Sequence, residues 1–328
     1  MENDLNKAYY PQEWLTPHTS IIHDRAQIEI ARGCPNQCNF CQAQKVYFPY
    51  RERKISRIQQ MIANIYESSG YEDFSLLSLS ASDYSNIEEL IDVTYDYFKN
   101  RRIGLSLPSL RVDDIVGRLY KKLKLLKKTS LTVAVESAQD RLRNKLNKKI
   151  DINKLFEAAN IIQGLGIKYM KIYFMFGFKQ EIEEDLVAIG KFLDELNKNS
   201  KLSLNVSINA FIPKPFSSWQ NFQIEKEDIL VNKRKTILDN IPRRRNIKIS
   251  LSFLKKTLLE AIISRADRKF SSVIYRAYRK GARFDSYREK FSWDIWKESM
   301  EEDGFDYDSY LARETINFPW SFIQTAGI

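Results

Sequence analysis

Cysteine and histidine are almost missing from this chain: 328 residues include 3 Cys and 2 His. Three cysteines do not build a paired disulfide framework, and all of them fall between Cys34 and Cys41. Both histidines, His18 and His23, precede that cluster. A Ser-His-Asp or Cys-His nucleophile would have to use one of these two, and a larger multi-histidine metal site is excluded, so most hydrolase chemistry is disfavoured. Long apolar runs are lacking too, none approaching the roughly 20 residues of a membrane span. The opening Met1-Glu2-Asn3-Asp4-Leu5-Asn6-Lys7 is polar and acidic, without the charged start and apolar stretch of a secretion signal. The expectation is a soluble, cytoplasmic protein with no membrane part.

What is present is ordinary for a folded chain, with 43% hydrophobic and 29% charged residues. The length suits two folding units, or one large barrel with an appendage. Lys and Arg number 52 against 42 Asp and Glu, a net charge of +10. That balance suits a polyanionic partner such as RNA, and equally a lysine-rich proteome with no nucleic-acid role.

Short apolar runs alternate with amphipathic stretches from about Ala26 to Ala210. Strands are expected at Gln27–Ala31, Phe74–Leu79, Ile103–Leu107, Leu131–Glu136, Lys168–Phe176 and Leu202–Ala210, several with period two. Ile87, Leu90, Ile91, Tyr95 and Phe98 mark a helical face, with Ser85 and Glu88 placed as a capping box. Ile182, Leu186, Ile189, Leu193 and Leu196 mark another, and Asp151 is placed to cap a third helix carrying Leu155, Ala158, Ala159 and Ile162. Six such units imply an α/β fold with a parallel sheet, either doubly wound or an incomplete barrel, and a ligand site at the carboxyl ends of the strands. After Pro213-Lys214-Pro215 the alternation stops. The remainder is helix-rich and basic, with a strand-like piece at Asn246–Phe253 and a long helix expected from Arg265 to Lys280.

The first strand is followed by Arg32-Gly33-Cys34-Pro35-Asn36-Gln37-Cys38-Asn39-Phe40-Cys41. Three thiolates spaced C-x3-C-x2-C reach three corners of one cubane iron–sulfur cluster and leave the fourth iron open to a small molecule. The competing reading is zinc, or buried thiols; zinc normally takes four ligands at paired C-x2-C spacings.

This loop resembles the C-x3-C-x-aromatic-C signature of the radical S-adenosylmethionine (SAM) superfamily, with Phe40 as the aromatic. The resemblance implies a partial (βα)6 TIM-like barrel, a 4Fe–4S cluster on Cys34, Cys38 and Cys41, and reductive cleavage of SAM to a 5′-deoxyadenosyl radical. It also implies a SAM pocket. Ser80, Ala81 and Ser82 stand where the family has a Gly-Gly-Glu segment, and Asp83 either supplies the missing charge or precedes the cap of the next helix. Glu136 holds the position that contacts ribose, with a salt bridge in the barrel mouth as its alternative. Lys148 resembles a carboxylate-binding base, with an exposed surface lysine as its alternative. Phe176-Gly177-Phe178 and Phe211-Ile212-Pro213 match the turns shaping the adenine pocket, or are simple strand-ending turns.

Glu29–Cys34, Arg51–Arg53, Leu77–Tyr84, Val206–Gln220 and Ile263–Asp285 further resemble an uncharacterised branch that typically carries an N-terminal cobalamin-binding-type domain. Only about 25 residues precede the first strand, and no Asp-x-His-x-x-Gly motif occurs. Cobalamin use by this chain alone is therefore not expected. The expected organisation is an N-terminal extension (1–25), a radical SAM core barrel (26–215) and a mostly helical, basic extension packed on the barrel (216–328). With every cysteine committed, a second cysteine-ligated cluster is excluded.

In the extension, Arg243–Arg245 and the Arg265–Lys280 stretch form the densest basic region. Phe270, Tyr275 and Tyr278 are placed to stack on bases; alternatively, Phe270, Val273, Ile274 and Ala277 form an apolar face against the barrel. The expected partners are a reductant protein of flavodoxin or ferredoxin type, a chain supplying a missing domain, and RNA. Two other functions stay open: a non-catalytic SAM- and cluster-binding subunit, and an RNA-modifying enzyme.

Overall fold

Runs with every second residue apolar give strands with one face to bury, and in the computed structural model they lie side by side. It describes residues 3–101, 103–127, 130–312 and 318–324. The strands are β1 (Ala26–Glu29), β2 (Ala31–Arg32), β3 (Arg51–Glu52), β4 (Asp73–Leu77), β5 (Gly104–Ser106), β6 (Ser130–Glu136), β7 (Tyr169–Phe176), β8 (Ser203–Ala210) and β9 (Ile247–Leu251). All six expected strands are present, and among the described residues they form, with β9, two parallel arcs, β1-β4-β5 and β6-β7-β8-β9. The Lys127 N–H, donating to Leu105 O at 2.7 Å, ties β5 to the approach to β6. The architecture is the α/β, partial TIM-like barrel that the sequence implies, with a helical C-terminal part.

The buried faces follow the period. Leu131, Val133 and Val135 on β6 point into one core with Met170, Ile172, Phe174 and Phe176 on β7 and Leu204, Val206 and Ile208 on β8. Each fully buried side chain of this size stabilises the fold by roughly 1.5–3 kcal/mol. The helices Ile55–Ser69, Ile87–Phe98, Ile152–Gly164, Glu183–Asn199 and Glu227–Asn240 cover the arcs. Asp151 caps its helix as expected, accepting from the Asn153 and Lys154 N–H groups.

Four local expectations change. The strand-like piece at Asn246–Phe253 does not stand apart: β9 pairs parallel with β8, after a helix of its own. The Ser85–Glu88 capping box does not form, because Glu52 on β3 accepts from both the Ser85 N–H and hydroxyl. Tyr95 and Ile182 are exposed, and Thr94 is the buried neighbour in the first helix face. The helix expected from Arg265 to Lys280 is shorter, Phe270–Arg279, and Arg265 ends the preceding helix Leu254–Arg265. Asp267 lies between the two, its carboxylate accepting from the Lys269 N–H at 2.8 Å and its carbonyl from the Phe270 N–H at 3.1 Å.

Residues before β1 are not a loose lead. Leu5 is buried, its carbonyl accepts from the buried Arg53 guanidinium, and Tyr10 and Trp14 pack on the core. Helices Leu254–Arg265, Phe270–Arg279, Trp293–Glu302 and Tyr307–Ala312 make up the C-terminal part. The stretches 313–317 and 325–328 of the expected extension lie outside the described residues.

Candidate functional site

The cysteine loop, the Ser80–Ser82 turn, Glu136, Gly177 and Pro213 sit at or just past the carboxyl ends of strands. The cysteine loop leaves β2 through Gly33, at φ +90°. A Cβ there would lie 2.9 Å from Tyr47 O and 3.1 Å from Pro49 O, so glycine is what lets the loop start against the chain before β3. Cys34, Cys38 and Cys41 are all partly buried, and the Cys41 N–H donates to Cys38 O at 3.1 Å. The loop is stapled across the barrel mouth. The Asn39 N–H donates to Leu146 O at 3.0 Å and Asn39 Nδ2 to Lys145 O at 2.8 Å. Asn147 Nδ2 donates to Gln37 O at 2.7 Å, and the Trp219 N–H to Asn39 O at 3.0 Å.

Burial pushes the Cys38 thiol above its ordinary pKa, Lys148 opposes this, and Cys41, Cys34 and Glu136 reinforce it. The three sulfurs, a carboxylate and an ammonium therefore share one field. Among the described residues no three His, Cys, Asp or Glu side chains are grouped to hold one metal ion. A cubane asks for something different, one thiolate per iron, and three soft thiols in one loop suit it.

Past β4, Ser80, Ala81 and Ser82 are buried. The Ser82 N–H donates to Ser109 O at 3.2 Å, its hydroxyl accepts from the Arg111 N–H at 2.9 Å, and its carbonyl accepts from Arg118. Asp83 precedes Asn86, the cap of helix Ile87–Phe98, and its side chain reaches other loops. Its Oδ2 accepts from Asn36 Nδ2 at 2.7 Å, and Arg111 lies 3.9 Å from its other oxygen. Asn36 Nδ2 also lies 3.4 Å from Cys34 Sγ, and its Oδ1 accepts from Arg111. Asp83 thus reaches the first cysteine through one asparagine.

Glu136 is the most unusual group. It ends β6 at a register shift, with φ +67°, a conformation that L side chains adopt only when their surroundings impose it. It is buried, and burial raises its carboxyl pKa to about 7 against the pull of Lys148. No hydrogen bond or ion pair among the described residues holds its carboxylate, so the expected alternative of a salt bridge is not formed. Lys148 is half-buried in the loop after helix Asp140–Lys145, not on a helix surface. It is close enough for its charge to act on both Cys38 and Glu136.

Gly177, at φ +87°, closes β7 with its N–H donating to Glu181 Oε2 at 2.8 Å. Pro213 is buried after β8. Between these turns Phe178, Phe211, Trp219, Leu142 and Leu146 form a separate buried cluster, and Phe40 packs against it. The sequence reading did not single out Asn36, Asn39, Arg111 or Asn147. Asn36 and Asn39 had a signal, being polar residues between ligand-type cysteines; Arg111 and Asn147 had none.

The sequence profile of the radical SAM superfamily matches residues 28–193, half of the chain. The chain belongs to the radical SAM superfamily. Its membership brings a 4Fe–4S cluster and SAM as the cofactors to account for. The uncharacterized protein MJ0966 of Methanocaldococcus jannaschii is 25% identical over 90% of this radical SAM chain and 69% of its own length. A ribosomal protein uS12 methylthiotransferase RimO, of Nitratiruptor sp., is 22% identical over 71% of this chain. The chain spans 54% of that relative's length. Among solved structures it is similar to the radical SAM methyltransferase TsrM from Kitasatospora setae, at 13% identity and a TM-score of 0.46 over 59% of this chain and 37% of that one. Among the described residues, no helix is long and apolar enough to cross a membrane.

Proposed function

We propose that this chain is a cytoplasmic radical SAM enzyme whose Cys34, Cys38 and Cys41 hold a 4Fe–4S cluster. The chemistry such a cluster supplies, with SAM bound, is reductive cleavage to methionine and a 5′-deoxyadenosyl radical that takes hydrogen from a substrate. What supports the reading is that the loop bearing three partly buried thiols and the buried Glu136 carboxylate both lie at the carboxyl ends of strands.

The chain's own residues divide the remaining work. Glu136 offers an acceptor for ribose hydroxyls, a hydrogen-bonding load that its buried carboxylate otherwise lacks. Lys148 offers a cation to the SAM carboxylate. The Ser80–Ala81–Ser82 turn would meet the amino group, and Phe40 with the turns at Gly177 and Pro213 would line the adenine. The Phe178–Phe211–Trp219 cluster excludes water from that side of the pocket. A reductant protein of flavodoxin or ferredoxin type supplies the electron.

The test is anaerobic. The chain is reconstituted with iron and sulfide, given SAM and dithionite, and 5′-deoxyadenosine is quantified. Turnover supports the enzyme, and Cys38→Ala should lose most of the iron. Protein that binds no iron, or a Cys38→Ala variant with full cluster content, sinks the assignment. A reducible cluster that leaves SAM intact favours a second reading, a subunit that needs a partner chain.

A further inference from the structure

The stretch from Arg268 to Lys290 is not used by the site described above. Helix Phe270–Arg279 buries Phe270, Val273 and Ala277 against the core and turns Tyr275 and Tyr278 outward. It ends in a Schellman turn: the Gly281 N–H, at φ +104°, donates to Tyr278 O at 3.0 Å, and the Ala282 N–H donates to Ala277 O at 2.9 Å. The turn folds the chain back so that the Arg283 guanidinium lies 4.5 Å from the Tyr278 ring centre. Phe284 and Tyr287 follow. Relative exposures are 62% for Tyr275, 50% for Tyr278, 71% for Phe284 and 58% for Tyr287, a density of bare rings that solvent alone does not favour.

Cations outnumber carboxylates around these rings: from Arg268 to Lys290 there are eight Lys and Arg against Asp285 and Glu289. Arg276 and Lys280 are paired with Asp303, Glu302 and Glu298 on helix Trp293–Glu302. Among the described residues no carboxylate lies within ion-pair distance of Arg268, Lys269, Arg279, Arg283, Arg288 or Lys290. The face is also tied to the mouth of the barrel. Arg288 lies 5.5 Å from the centre of the Phe253 ring, and Phe291 packs on it edge-on at 5.5 Å. Phe253 follows β9, where the Ser252 N–H donates to Ile208 O at 3.2 Å.

We propose that this face docks single-stranded nucleic acid, its phosphates met by the six unpaired cations and its bases by stacking on Tyr275, Tyr278, Phe284 and Tyr287. Bare rings beside unpaired guanidinium groups match a partner that alternates phosphates with flat bases, since each base has a face to stack and each phosphate a charge to meet. Charge favours a polyanion over a protein here, because six cations of the face lack a carboxylate partner among the described residues and the whole chain carries +10.

The test is fluorescence anisotropy on the full chain, with labelled 12-nucleotide uridine RNA and the matching DNA, between 50 and 300 mM salt. It is run with and without reconstituted cluster, so that a failure here is separable from a failure of SAM cleavage. Binding should weaken with salt at a slope of about −0.7 per phosphate contacted. Phe284→Ala and Tyr275→Ala should each weaken it about tenfold with the slope unchanged, while Phe284→Tyr retains it. Arg283→Ala should reduce the slope by about one contact. Tyr120→Ala, exposed elsewhere, should change nothing. RNA bound more tightly than DNA assigns the partner to RNA, and equal affinity assigns a general single-strand face. No binding at 50 mM salt overturns the proposal. So does binding indifferent to the aromatic variants, or variants that change only the association of the chain with proteins.

Discussion

Replacing Gly33 by alanine tests how the cysteine loop is held. The residue leaves β2 at φ +90°, in the region of positive φ that costs an L side chain roughly 1–2 kcal/mol. The new Cβ would stand 2.9 Å from Tyr47 O, 3.0 Å from Tyr50 Cα and 3.1 Å from Pro49 O. All three are backbone atoms, and Tyr50 leads directly into β3, which is paired with β2. None can swing aside as a side chain would, and overpacking of this kind costs roughly 1–3 kcal/mol. The expected loss is therefore about 2–5 kcal/mol, taken together from these two sources. Gly70→Ala is the matched control, because Gly70 has φ +70° and nothing within 4 Å of the added Cβ. It should lose only the backbone part, about 1–2 kcal/mol. Urea unfolding of both variants measures the difference, and iron bound after anaerobic reconstitution shows whether the loop itself has moved. Equal losses for the two variants, or a Gly33→Ala protein with parental stability, would refute the argument that close approach to residues 47–50 holds this loop.

Glu181 carries a pH prediction. Burial raises its pKa to about 7, with Lys233 only partly offsetting this, so the folded state keeps a proton that the unfolded chain releases near pH 4.5. Parental stability should fall as pH rises from about 4.5 to about 7 on this account, and Glu181→Gln should gain up to about 3 kcal/mol on the parent between pH 5 and pH 8. A constant difference in urea midpoints across that range refutes it. Asp151→Ala removes the acceptor for the Asn153 and Lys154 N–H groups and should cost about 1 kcal/mol, with Asp151→Asn recovering most of it in the same assay. Phe178→Ala opens the cluster between Phe211 and Trp219, at ring distances of 4.9 and 5.7 Å, and should cost about 3–5 kcal/mol in thermal or urea unfolding.

The strands were legible because burial on one face leaves a period of two, which β7 and β8 keep throughout and β6 keeps up to Val135. The cysteine spacing was legible because one loop supplies all the thiols. Contacts decided by residues far apart in the chain left no such trace. The Ser85–Glu88 box lost to Glu52, whose reach depends on β3 lying beside that turn. The period in Ile247–Leu251 marked a strand, but only pairing with β8 showed it to be part of the barrel. Asp83 was read against its neighbours in sequence, whereas its partners, Asn36 and Arg111, come from two other loops. Glu136 could be named from its place at the end of a strand, but its left-handed backbone and lack of a partner belong to the folded mouth alone.

The staples across the cysteine loop carry a consequence for maintenance. Asn39, Asn147 and the Trp219 amide hold the loop's path through hydrogen bonds that involve no thiol. Small zinc modules differ, since their free energy of metal binding is also their free energy of folding. Here the two are separate, so oxidative loss of iron should leave a folded chain with its thiols still in position. Repair then becomes a matter of redelivering iron and sulfide to a standing loop, with no need to degrade and resynthesise the protein.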